Sequence, residues 1–266
     1  MRNEERLDVT HFILFTLVLA RVGGLTMTAP IFGTQDVPLQ VRGLLAAALT
    51  LLIVPSQWGA AVEYPGNVVH YLVLLGGEAM IGACLGLGVV ILIHGMTLAG
   101  ELIEQTAGLK LAEVFDPALD QQVPLFSRLL FLVTVAVFVC LGGHRMVMAG
   151  LLDTFQTIPP GGAGFSVSVA KAFVTLVSLS FQLGIRAAAP AVTALLLASL
   201  TLGLVGRTLP QLNILSLGFG LNAMLAFAAL GLTLGAAAWA FQDQIQPALE
   251  VIFDALKTPL RTQWQG

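Results

Sequence analysis

The sequence predicts an all-α integral membrane protein. Hydrophobic residues make up 57 % of the 266 positions and charged residues only 10 %, where a soluble domain carries about 25 % charged residues. The mean hydropathy is +0.90. The apolar residues gather in long runs without the alternation of a β-barrel, and runs such as Val192–Leu197 and Ala223–Leu230 are apolar all round, which suits helices in lipid or in an apolar bundle. A chain of this length has room for roughly six to eight spans of about 20 residues.

The runs fall at Phe12–Ala29, Gly43–Pro55, Val69–Ala99, Leu125–Leu141, Val167–Ile185, Ala187–Gly206 and Asn213–Phe241. The first follows MRNEERLD, whose mixed charges are not those of a signal peptide, and Arg21 interrupts it; it is expected to stay in the mature protein. The second is only 13 residues long, short for a span. Helical hairpins packed in an oligomer fit these short, charge-broken segments better than a plain bundle, because neighbouring subunits can shield charge and broken backbone. Pro30, Gly33 and Pro38 separate the first two segments, and Pro55, Pro65 and Gly66 the next pair. The strongest punctuation is Pro159-Pro160-Gly161-Gly162. Pro190 lies three residues into its run, where a first helical turn accepts it. No repeat or separate soluble domain is visible, so residues 1–266 read as a single membrane domain, with 243–266 at most a short amphipathic tail. The GxxxG spacings Gly82–Gly86 and Gly231–Gly235 predict close helix packing.

Residues 100–124, GELIEQTAGLKLAEVFDPALDQQVP, form a polar island. Glu101, Glu104, Lys110, Glu113, Asp116 and Asp120 fall within it, while neither Ala79–Gly100 nor Leu129–His144 contains an Asp, Glu, Lys or Arg. Such a segment cannot lie against acyl chains and must face water, protein or a lumen. A helix through Glu101–Val114 is expected to stop before Pro117, because proline pushes Asp116 out of the α region.

Signals of catalysis and of cofactors are missing. There is no phosphate-binding loop, dinucleotide fingerprint or HExxH, and the four histidines lack metal-ligand spacing. Cys84 and Cys140 read as small apolar residues in helices. The net charge of −3, without a basic tract, leaves no footprint for nucleic acid. Ionisable residues within apolar runs are functional candidates. Arg21 and Glu78 stand out, with a pair between them one possibility. Lys171 and Arg186 read as segment-edge charges that reach the interface.

Four blocks carry a resemblance over essentially the whole chain. They are ARVGGLTMTAPIFGTQDVPLQVR at Ala20–Arg42, the island at Gly100–Pro124, GGHRMVMAGLLDTFQTIPPGG at Gly142–Gly162, and GRTLPQLNILSLGFGLN at Gly206–Asn222. In this order they resemble the FliR/SctT family of flagellar and type III secretion export-gate proteins. The resemblance implies helical hairpins packed in a hetero-oligomeric gate with FliP-like and FliQ-like subunits. That gate lies at the flagellar basal body in the bacterial inner membrane, beside an FlhB-like switch protein, and passes unfolded export substrates. It implies a plug at about Gln105–Pro117. There Gly108 allows close approach, Leu109, Leu111, Val114 and Phe115 supply apolar bulk for dewetting, Lys110 and Glu113 can pair at i,i+3, and Asp116 and Pro117 end the loop. It also places the turn of Arg207, Pro210, Gln211 and Asn213 among subunit contacts, and Gly231 and Gly235 are expected against a helix backbone. The alternative, a small-molecule or ion permease working through Glu78, Arg186 or the island acids, would be expected to show an internal repeat.

Overall fold

A computed structural model describes residues 2–30, 37–59, 64–109, 124–162, 167–208 and 214–257. Among these residues every long element is a helix: α1 (Arg2–Thr28), α2 (Leu39–Ile53), α3 (Val68–Thr106), α4 (Leu125–Cys140), α5 (Gly143–Thr157), α6 (Val167–Thr208) and α7 (Ile214–Lys257), with a short 3-10 turn at Val54–Gln57 after α2. Four stretches are long and apolar enough to cross a membrane, and up to six if two broken stretches are each counted as a span. The protein is an all-α integral membrane protein, as its composition predicts.

The helix ends follow local chemistry. α2 starts after Pro38, held extended at φ −56° and ψ 141°. It gives way to the 3-10 turn, which has proline in its first turn, as a missing N–H requires. α3 is capped by Asn67, whose Oδ1 accepts the His70 N–H at 2.7 Å. α3 ends at Thr106, earlier than the expected Val114, because Gly108 adopts a left-handed φ of 76°. The Gly108 N–H reaches the Gln105 carbonyl at 3.2 Å and the Leu109 N–H the Glu104 carbonyl at 3.1 Å. That pair of bonds is the Schellman ending, which needs glycine at this position.

Three differences from the sequence expectations have physical causes. The runs Val167–Ile185 and Ala187–Gly206 are one helix, α6, with Pro190 in its interior and not in a first turn; Pro190 is exposed, while Ala187, Ala188 and Ala191 beside it are buried and hold the helix across one lost backbone bond. α5 is a helix the run pattern missed, since Arg145, Asp153 and Gln156 break the apolar sequence on its exposed face. The supposed tail from Asp243 continues α7 to Lys257 and buries Ala248, Leu249 and Ile252.

The chain divides into two compact units. One comprises Met1–Ile91, Gly142–Leu176 and Pro247–Gly266, the other Leu92–Leu141 and Val177–Gln246. In the first unit, α1 and α3 meet backbone to backbone. A Cβ on Gly82 would strike the Arg21 carbonyl, and one on Gly24 the Ala79 carbonyl. The Gly82–Gly86 spacing is therefore a packing seam. In the second unit, a Cβ on Gly95 would come within 2.5 Å of the Ser180 carbonyl, and one on Gly184 within 2.5 Å of the Gly95 carbonyl. This seats α3 against α6 through small residues.

Candidate functional site

The first unit encloses a charge cluster built from residues far apart in sequence. α1 carries Arg21 and α3 carries Glu78, both with 0 % side-chain exposure, and Arg21 Nε lies 2.5 Å from Glu78 Oε2. The close approach of α1 and α3 at Gly24 and Gly82 brings these side chains within reach. Arg21 Nη1 donates to Thr154 Oγ1 of α5 at 3.2 Å, and Nη2 to the Ile158 carbonyl at 3.1 Å. The Thr154 hydroxyl is free to accept because its own proton goes to the Leu151 carbonyl at 2.6 Å. The Phe155 ring centroid is 4.3 Å from Arg21 Cζ, a cation–π contact. The other Glu78 oxygen accepts the Gly161 N–H at 2.8 Å. Gly161 sits at φ 89°, a left-handed conformation that suits glycine. The Pro159–Gly162 turn thus presents one backbone donor to a buried acid.

Every group in the cluster is matched, so the pair acts as a fixed junction of α1, α3, α5 and the turn. A buried pair gains little over apolar packing, yet removing one partner leaves an uncompensated charge. The possible pairing of Arg21 with Glu78 is realised, and the chain itself buries both. They do not need partner subunits for burial, contrary to the expectation for interrupting charges.

The second unit holds another buried acid that sequence patterns do not single out. Glu104, on the last turns of α3, is 4 % exposed. It accepts the Phe126 N–H at 2.5 Å, the Ser127 N–H at 3.4 Å and the Ser127 hydroxyl at 3.4 Å. α4 follows Pro124, which offers no side-chain cap, and its orphan donors take a carboxylate from α3 instead. The signal in the sequence was negative: a helix start with no capping side chain. One turn earlier, a Cβ on Gly100 would come within 2.5 Å of the Ser127 backbone, so α4 starts directly on α3.

The remaining expected residues are placed as follows. Gly108 and Leu109 close the end of α3; Lys110, Leu111, Glu113, Val114, Phe115, Asp116 and Pro117 lie outside the described residues. Arg207 is exposed at the end of α6, and Pro210, Gln211 and Asn213 lie outside the described residues. Gly231 and Gly235 are exposed, and among the described residues a Cβ at either meets nothing within 4 Å. Lys171 and Arg186 are exposed on α6. His94 is exposed, edge-on to Phe131 with centroids 6.4 Å apart. Among the described residues no group of three or more His, Cys, Asp or Glu could hold a metal ion.

Apolar helices long enough to cross a membrane, with two buried charge junctions and one polar segment between helices, define a membrane-embedded helical protein. Residues 12–248 match the family described as bacterial export proteins, family 1. The chain is 34 % identical over 209 residues to the flagellar biosynthetic protein FliR of Escherichia coli (strain K12), covering 79 % of each chain. It is 30 % identical over 229 residues to FliR of Bacillus subtilis (strain 168), covering 82 % of this chain and 85 % of the relative. It is also 30 % identical over 223 residues to FliR of Aquifex aeolicus (strain VF5), covering 83 % and 86 %. The chain belongs to this family of bacterial export proteins, among its FliR members. It is a membrane-embedded component of the flagellar export apparatus, and its relatives carry the names of biosynthetic components and not of enzymes.

Proposed function

We propose that the chain is a subunit of the flagellar protein export gate in the bacterial inner membrane. It packs with FliP-like and FliQ-like subunits, works beside an FlhB-like switch protein, and contributes to a channel for unfolded flagellar proteins. Residues Gln105–Pro117 close its lumen. The observation that carries this reading is the island itself. A charged segment leaves α3 at Gly108 and returns at Pro124, between helices whose surfaces are apolar. Lipid cannot host it, and a gate between two aqueous compartments needs a closing element with apolar bulk. The open surroundings of Gly231 and Gly235 support packing against another subunit. A permease site at Glu78 finds no support, since both of its oxygens are engaged inside the protein.

Deleting Leu109–Val114 tests the closing role. Cells expressing the whole gate should recover an intact complex but show raised conductance to small ions and sensitivity to external salt. Phe115→Ala should leak less, because it removes a single dewetting side chain. An assembled complex that stays ion-tight after the deletion would reduce the island to a connector.

A further inference from the structure

Glu104 holds both feet of the island with two different parts of one residue. Its backbone carbonyl accepts the Leu109 N–H at 3.1 Å, which fixes where the chain leaves α3. Its side chain accepts the N–H groups of Phe126 and Ser127, which fixes where the chain returns as α4. Pro124 before α4 has no side-chain acceptor, and its carbonyl takes the Arg128 N–H at 2.9 Å, so the Phe126 and Ser127 N–H groups of the first turn depend on the carboxylate. The carboxylate is favoured there by the partial positive charge of the helix start. The contact between Gly100 and the Ser127 backbone holds the same helix start one turn away. A loop whose ends are held loses much of the freedom it would have if only one end were anchored.

We propose that Glu104 is the positioning residue of the closing segment: by clamping Phe126 and Ser127 to the last turn of α3, it sets the anchor points between which the segment runs. This rests on the reading of the island as the closing element of the gate. The clamp does not line the path of the exported chain, because Glu104 is buried. It acts through the position of the two feet. Without the carboxylate, two buried N–H groups lose their acceptor, which weakens the seating of α4 by about tenfold or more.

The test uses the assembled gate in cell membranes, with Cys84 and Cys140 replaced by alanine and a single probe at Ala107→Cys. Ala107 is 1 % exposed beside the clamp. Maleimide labelling of that cysteine reads the feet directly, and ion conductance reads closure. Glu104→Ala should keep the complex, label about tenfold faster than the parent, and leak toward the level of the Leu109–Val114 deletion. Glu104→Gln, which retains one acceptor oxygen of the same reach, should fall between the two. If Glu104→Ala does not assemble, Glu104→Gln combined with Ser127→Ala carries the test, since it preserves volume while removing the charge and the hydroxyl bond. Parent-like protection and tightness in Glu104→Ala, with the deletion leaking, overturns the proposal. So does fast labelling without leakage when the deletion leaks. If the deletion itself is tight, the closing-segment reading fails, and labelling alone decides whether Glu104 holds the feet.

Discussion

Arg21 shows how a single charge can sit at the centre of an apolar helix without partner subunits. Its guanidinium spends its donors on Glu78, Thr154 and the Ile158 carbonyl and lies over Phe155. Planar, multidentate donation is what distinguishes arginine from lysine at such a site. Glu78→Ala should therefore destabilise the chain by about 3–5 kcal/mol, because it strands a buried cation. Arg21→Met with Glu78→Leu should recover much of that loss, because apolar packing replaces an ion pair at little net cost. Thermal unfolding of the purified complex measures both. Equal losses in the single and double variants would mean that the pair contributes beyond its own neutralisation. Gly161→Ala adds a sharper check on the turn, since a left-handed alanine costs about 1–2 kcal/mol, and a smaller loss would show that the turn relaxes.

At the scale of elements, the same small-residue pattern has two outcomes. Gly82 and Gly86 lie in a seam where α3 touches α1, and any side chain there strikes the backbone of Arg21 or the Thr28 side chain. Gly231 and Gly235 on α7 face open space within the chain. Gly82→Leu is accordingly expected to destroy the chain's own fold. Gly231→Leu or Gly235→Leu should leave it folded but cut recovery of the gate complex more than Ala228→Leu does. Copurification with FliP-like and FliQ-like subunits decides this, and equal tolerance at all three α7 positions would make that spacing accidental. α6 is the converse case. Arg186, exposed within the 41-residue candidate span of α6, has no carboxylate partner among the described ion pairs. A central arginine facing lipid costs about 2.5–3.5 kcal/mol.

For the whole molecule, that exposed surface matters more than the buried pair. Leu196, Leu197, Leu200 and Leu204 on α6, with Met224, Phe227 and Trp239 on α7, are exposed large hydrophobic residues. Lipid or partner subunits must cover them. Expressed alone, the chain should be degraded or aggregated, and coexpression of FliP-like and FliQ-like subunits should rescue it. A stable, monodisperse monomer in detergent with transport activity of its own would instead favour a permease. Ion-pair variants and this expression test are independent, because Arg21 and Glu78 are neutralised within the chain before any partner arrives.

Composition and run length determined that this is a helical membrane protein, and the island at residues 100–124 was visible as a charged interruption of apolar sequence. These are properties of consecutive residues, and the cost of exposing polar groups to lipid acts on consecutive residues. Arg21 and Glu78 were marked as misplaced charges for the same reason. Their junction with Thr154, Ile158 and Gly161 was not legible, because its hydrogen bonds join residues up to 137 positions apart through helix crossings. Nor was the continuity of α6 through Pro190, or of α7 past Asp243, where packing overrides a local breaker or a polar stretch. Glu104 was one acid among five in the island until α4 was seated beside it. Only tertiary structure decides which acid meets a helix start, since that choice depends on where two helices end in space and not on the spacing of residues along either one.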